Sequence, residues 1–194
     1  MPAMLSSPSD HPGELIERIR AAAADRTPLR LQGGGTKAFL AEPAPGTLLS
    51  TTGYAGIISH EPSELVVTVK AGTPLAELES VLAAAGQSLA FEPPHFGPGA
   101  TVGGAVAAGL AGPARAAVGG ARDYVLGVRL INGRGELLTF GGQVMKNVAG
   151  YDVSRALAGS RGQLGVMAEV SLKVLPVAPA EATLVFPLAQ VDAL

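Results

Sequence analysis

Residues 98–109 read Pro-Gly-Ala-Thr-Val-Gly-Gly-Ala-Val-Ala-Ala-Gly. Thr101 is a helix-capping residue type and every residue after it is small or β-branched, so the stretch predicts a short helix begun at Thr101. The N-terminus of such a helix presents free N–H groups and the positive end of the helix dipole, which suits a phosphate. Tiny side chains let a ligand approach the backbone. They serve close helix–strand packing equally well, and the stretch alone leaves both readings open.

Two further glycine clusters lie on either side of it. Leu31-Gln32-Gly33-Gly34-Gly35-Thr36-Lys37 leaves a short strand, Leu29–Leu31. Successive N–H groups without Cβ neighbours can point inward as a nest for an anion, with the Thr36 hydroxyl as a further donor. An ordinary glycine turn is the competing reading. The spacing fits neither a P-loop nor a Rossmann fingerprint. The third cluster runs Lys146-Asn147-Val148-Ala149-Gly150-Tyr151-Asp152, then Gly159-Ser160-Arg161-Gly162-Gln163-Leu164-Gly165-Val166. In isolation it reads as a loop and a turn. Three such stretches at strand and helix edges are what an extended dinucleotide requires.

The rest of the chain alternates helix and strand signals. Leu15, Ile16, Ile19, Ala22 and Ala23 make one apolar face over Pro12–Ala24, with Asp10 as the cap and Thr27-Pro28 as the stop. Strands are predicted at Gly56–Ser59 and Glu64–Lys70; Leu65–Val69 is apolar enough for a central strand covered on both sides. A helix follows, capped by Thr73, with Pro74 at its first position, Leu75, Leu78, Val81 and Leu82 on one face, and Gly86 as its end. Tyr124–Asn132 and Glu136–Phe140 form a hairpin through Asn132-Gly133-Arg134-Gly135. A short helix is expected at Val153–Ala158, a strand at Val166–Val174 and a last strand at Ala182–Phe186. The result is an α+β chain with a lobe boundary near 86–98.

Composition removes several classes of function. The 14 basic and 16 acidic residues give a net charge of −2 with no basic run, so nucleic-acid binding is not expected. With no Cys there are no disulfides, thiolate metal sites, iron–sulfur ligands or cysteinyl cofactor links. The three His residues, His11, His60 and His95, have no metal-ligand spacing. The N-terminus lacks signal-peptide features, and Gly97–Ala121 is too weakly hydrophobic to span a bilayer. A cytoplasmic protein with no membrane span is the expectation.

Taken in order, strand–GGGT, VTVKAGTPLAELESVLAAAGQ, PGATVGGAVAAG, ARDYVLGVRLINGRGELL and GYDVSRALAGSRGQLGVMAEVSLKVLP resemble the FAD-binding domain of the vanillyl-alcohol oxidase/p-cresol methylhydroxylase (PCMH-type) superfamily, from about Leu29 to Pro176. Gly141–Arg155 is similar more narrowly to the E subunits of glycolate oxidases. The resemblance implies a two-lobed fold with FAD between the lobes, the first lobe at 1–86, the second at 87–176, and 177–194 where a substrate-binding cap would begin, so that a cap is expected to be absent. It implies that Gly33, Gly34, Gly35 and Thr36 hold the pyrophosphate from the first lobe and Gly99, Thr101, Gly103 and Gly104 from the second. Gly162, Gly165 and Val166 would offer backbone along the adenine-to-flavin span. Arg122 and Asp123 fall where the family approaches its cofactor, although Asp123 equally suits the cap of a strand end and Arg122 a surface charge.

The function implied is the FAD-binding subunit of a multi-subunit 2-hydroxy acid (glycolate) oxidase or dehydrogenase, with FAD held non-covalently and activity requiring a second flavoprotein subunit and an iron–sulfur subunit. The alternative is a non-catalytic FAD-fold scaffold for catalytic partners. No residue stands out as the catalytic base; Tyr151 is the best polar candidate, and a packing or hydrogen-bonding role suits it better. A nucleotide-sugar reductase would need a nicotinamide cofactor and a further domain.

Overall fold

The structure, a computed structural model, describes residues 12–40, 45–142 and 151–185. Helix α1 (Gly13–Ala24) buries Leu15, Ile16 and Ile19, the face expected from the sequence. Asp10, its expected cap, lies outside the described residues. The chain then forms β1 (Leu29–Gln32), which pairs in parallel with β2 (Thr47–Ser50) from Leu29↔Thr47 to Gln32↔Ser50. Strand β2 has no counterpart in the sequence reading. Four residues between Pro45-Gly46 and Thr51-Thr52-Gly53 are too few to show alternation, and the strand exists because β1 supplies its partner.

The larger sheet has five strands in the order β3-β4-β8-β6-β7, every neighbouring pair antiparallel. They are β3 (Ile57–Glu61), β4 (Val66–Lys70), β6 (Val125–Ile131), β7 (Leu137–Gly141) and β8 (Val166–Lys173). Val66, Val67, Thr68 and Val69 are all buried, as expected for a strand with neighbours on both edges and cover on both faces. The β6–β7 turn is built by Asn132, whose Oδ1 accepts the N–H groups of Arg134 at 2.9 Å and Glu136 at 3.0 Å, while Gly135 takes φ +70°.

Helices α2 (Leu75–Ala84), α3 (Val102–Ala108) and α6 (Val153–Leu157) supply Leu75, Leu78, Leu82, Val106 and Leu157 to the main core, which also takes Val67, Val69, Val170 and Leu172 from the sheet. A second core joins α1 to the sheet through Leu49, Tyr54, Ile131, Val166 and Ala168. Two-residue strands β5 (Gln87–Ser88) and β9 (Leu175–Pro176) pair with each other, and single turns α4 (Arg115–Val118) and α5 (Ala121–Tyr124) lead into β6.

Three expectations differ from the structure. Thr73 does not cap α2: Pro74 holds that position, and the Thr73 hydroxyl accepts the Gly56 N–H at 3.0 Å and donates to the Lys70 carbonyl at 2.6 Å. Val81, placed on the buried face of α2, is 38% exposed. Helix α2 ends before Gly86, which adopts φ +67°, and strands β4 and β8 are hydrogen-bonded from Val66↔Lys173 to Lys70↔Glu169. Residues 182–185 form no strand, and Leu184 and Val185 are exposed; Phe186 lies outside the described residues.

Candidate functional site

The glycine-rich stretches converge on one cleft of about 540 Å³. The first part of its lining is β1 and the loop that follows, including Gly33, Gly34, Gly35, Thr36 and Lys37. Thr101, Gly103, Gly104, Ala107 and Ala108 contribute the cap and one face of α3. Arg161, Gly162, Gln163 and Gly165 come from the loop entering β8, and Met167 from the strand itself. Thr51 and Ala71 complete it from the loops after β2 and β4.

Two expected residues do not line it. Val166 is 3% exposed and packs into the core beneath α1, because alternation along β8 sends Gly165 and Met167 to the cleft and the side chain between them away from it. Gly99 lies behind the 33–36 loop: a Cβ on Gly34 would overlap the Gly99 carbonyl. These two glycines therefore bring backbone against backbone. Asp123 accepts the Gly120 N–H at 2.8 Å and so caps the start of helix α5 rather than a strand end, and Arg122 is an exposed residue of the same turn. Tyr151 is 95% exposed, so it packs against none of the described residues; residues 146–150 of its cluster lie outside them.

The expected phosphate donors separate into two groups. At α3 the first N–H groups are already used: Val102 donates to the Thr73 carbonyl at 2.9 Å, Gly103 to the Ala71 carbonyl at 2.8 Å, and Gly104 to the Thr101 hydroxyl at 3.2 Å. The helix start expected to offer free donors is consumed in docking α3 onto the loop after β4. Its gift to the cleft is smoothness, since Gly104 has only Thr101 Oγ1 near the place of a Cβ, at 3.0 Å. The N–H groups of Gly34, Gly35 and Thr36, by contrast, have no hydrogen-bond partner among the described residues. Gly35 with φ +73° turns this loop as a nest requires.

The electrostatics agree with an anionic ligand. Arg30, Lys37 and Arg161 line the cleft, and among the described residues no Asp, Glu or His does. Burial lowers the pKa of Lys37 from its ordinary value. His95 is engaged elsewhere, its Nε2 2.9 Å from Glu79 Oε2. Lys37, Arg161 and Met167 were not singled out from the sequence, although the first two stand inside the quoted glycine clusters. A cradle that side chains would fill, unpartnered donors and cations without carboxylates together fit a diphosphate-bearing dinucleotide.

Comparison with known proteins leads to the same ligand. Residues 7–141 match the FAD binding domain family. The chain is 53% identical over 167 residues to glycolate oxidase subunit GlcE of Escherichia coli, covering 86% of this chain and 48% of that protein. It is 32% identical to a D-lactate dehydrogenase of Anaerostipes hadrus, covering 73% of this chain and 30% of that one. Glycolate oxidase subunit GlcD of Bacillus subtilis is 28% identical over 92% of this chain and 38% of its own length. The chain thus spans less than half the length of each of these relatives. In fold it resembles an alkyldihydroxyacetonephosphate synthase with a TM-score of 0.70, at 24% identity, over 90% of this chain and 34% of that one. The mixed α/β fold, the glycine-lined cleft and the match over residues 7–141 lead to one assignment: the chain belongs to the PCMH-type FAD-binding domain family.

Proposed function

We propose that the cleft holds FAD non-covalently, its diphosphate against Gly33–Thr36 and its extended body along Gly103, Gly104, Gly162 and Gly165. The observation that carries this reading is that, among the described residues, the N–H groups of Gly34, Gly35 and Thr36 have no partner and no carboxylate lines their cleft. The chain has no Cys and no His lines the cleft among the described residues, which supports a reversible rather than a tethered cofactor. Titration should give one FAD per chain, and acid precipitation should release the yellow colour into the supernatant. Flavin retained by the precipitate would overturn the non-covalent reading, and no binding on titration would overturn the site.

The similarity to glycolate oxidase subunits supports a role as the FAD-binding subunit of a multi-subunit 2-hydroxy acid oxidase or dehydrogenase, glycolate being the favoured substrate. A second flavoprotein subunit and an iron–sulfur subunit are the proposed partners. Bound FAD would supply a hydride acceptor; the residues described here bind and orient it. Oxidation of a 2-hydroxy acid also needs a base for the hydroxyl proton, and no imidazole or carboxylate lines the cleft among the described residues. That observation favours a second reading, in which this chain holds FAD as a scaffold and the chemistry occurs on its partner. Stopped-flow mixing of the FAD-loaded chain with millimolar glycolate separates the two. Slow or absent bleaching supports the scaffold; bleaching within seconds supports a catalytic flavin in this chain.

A further inference from the structure

Among the described residues, two cations lining the cleft have no anionic partner and rest on neutral carbonyl oxygens. Arg161 Nη1 donates to the Leu40 carbonyl at 3.1 Å, across 121 residues of sequence. Lys37 Nζ donates to the His95 carbonyl at 3.4 Å, a long and weak bond, and lies 5.8 Å from the centre of the Phe96 ring. Both residues belong to loops that line the cleft, one following Gly33–Thr36 and the other leading into Gly162. The remaining charged clusters among the described residues are already satisfied. Glu169 is held by Tyr54 and Arg129, each at 2.7 Å, and Asp152 by Ser154 and Arg155.

We propose that Lys37 and Arg161 form a diphosphate clamp, an anion-specific part of the site that acts from two loops at once and fixes its preference for dinucleotides over uncharged flavins. This inference rests on the reading of the cleft as an FAD site and adds side-chain charge to the backbone nest. Among the described residues no carboxylate lines the cleft, so a guanidinium or ammonium there gains most from an anion, whose charge adds a Coulomb attraction that a neutral carbonyl lacks. The desolvation of Lys37 points the same way: a partly buried ammonium next to a carbonyl is under-compensated, and a diphosphate corrects that. Arg161 ties the turn at 38–40 to the 159–165 loop through one of its five N–H donors, so a diphosphate can be met by the others with that tie intact.

The test uses the full chain and two probes, FAD and ADP, which share the diphosphate and differ in the flavin. Arg161→Met and Lys37→Met should each weaken both probes roughly tenfold or more, on the typical strength of a hydrogen bond to a charged group. Their affinities should also depend less steeply on added KCl, because a screened cation has been removed. Arg161→Lys should recover part of the loss. Arg134→Met, on the exposed β6–β7 turn, controls for net charge and should change neither quantity. Unchanged affinity, or a loss with an unchanged salt slope, would show that the two side chains only brace their loops and would overturn the clamp. Binding of ADP but not FAD to the unaltered chain, still sensitive to both substitutions, would keep the clamp and remove the flavin reading. Binding of neither would remove both.

Discussion

The loop Gly33–Thr36 and the start of α3, Thr101–Gly104, are built from the same few residue types and line the same cleft, yet their backbones do opposite things. In the loop, the amides of Gly34, Gly35 and Thr36 are left without partners among the described residues. At α3, Val102, Gly103 and Gly104 spend theirs on Thr73, Ala71 and the Thr101 side chain. Glycine permits both outcomes, because it removes the Cβ without specifying what then approaches. A glycine-rich helix start near a ligand is therefore not automatically an anion site. Whether it is one depends on what the preceding strand's exit loop does with its carbonyls.

Substitutions can test how deep this contrast runs. The largest effect on the fold is expected from Gly34→Asp, where the new Cβ would overlap the Gly99 carbonyl. Overpacking against backbone should cost about 3 kcal/mol, read by urea denaturation. Near-native stability would show that the two glycine stretches are not in rigid contact. Gly104→Asp sharpens the contrast from the other side. Its Cβ meets only Thr101 Oγ1, an acidic residue suits a first helical turn, and the carboxylate enters the cleft. The fold should persist by circular dichroism while FAD affinity falls about a hundredfold through like-charge repulsion. FAD binding at unaltered strength would move the diphosphate away from α3.

Gly103→Ala probes docking without adding charge. A Cβ there would lie 2.5 Å from that of Ala71, so a loss of about 2 kcal/mol is expected even though alanine favours helix. Thr101→Ala removes the cap that receives the Gly104 N–H and should cost about 1 kcal/mol in thermal or urea unfolding. A loss of FAD affinity beyond that expected from stability would reveal a direct contact by the Thr101 hydroxyl. The smallest effect belongs to a helix start of another kind. At α6, burial alone would raise the pKa of Asp152, but the Arg155 N–H, the Ser154 hydroxyl and the nearby Arg155 and Arg122 charges outweigh it and hold it below the usual value. Its stabilising share is present above the ordinary carboxylate range and is lost as pH falls through the lowered value. Asp152→Asn should flatten the acid limb of stability slightly and leave FAD binding intact.

Much of this architecture is written in local patterns. The buried face of α1, the central position of β4 and the β6–β7 hairpin each follow from a few residues whose spacing or turn chemistry permits one arrangement. The convergence of the glycine clusters was also readable, because each sits at an element edge. What could not be read depended on partners distant in sequence. Strand β2 exists through β1, Thr73 turns towards Gly56 and Lys70, and the order of the five-stranded sheet rests on β4 meeting β8. Within the site, the amides left without partners among the described residues could not be told from the committed ones. Lys37 and Arg161 stood in view, but their significance comes from the absence of lining carboxylates, a property of the assembled cleft.

The carbonyls of Ala71 and Thr73 that receive α3 have a kinetic consequence. Amides locked onto the exit of a central strand open only when the strand's own neighbourhood opens, so Val102 and Gly103 should exchange their hydrogens with solvent on the slow timescale of the sheet. Gly34, Gly35 and Thr36 have no such lock among the described residues and should exchange quickly in the ligand-free chain. The cleft thus joins a wall that is set once, when the protein folds, to a rim that is free to be set anew at every encounter with a ligand.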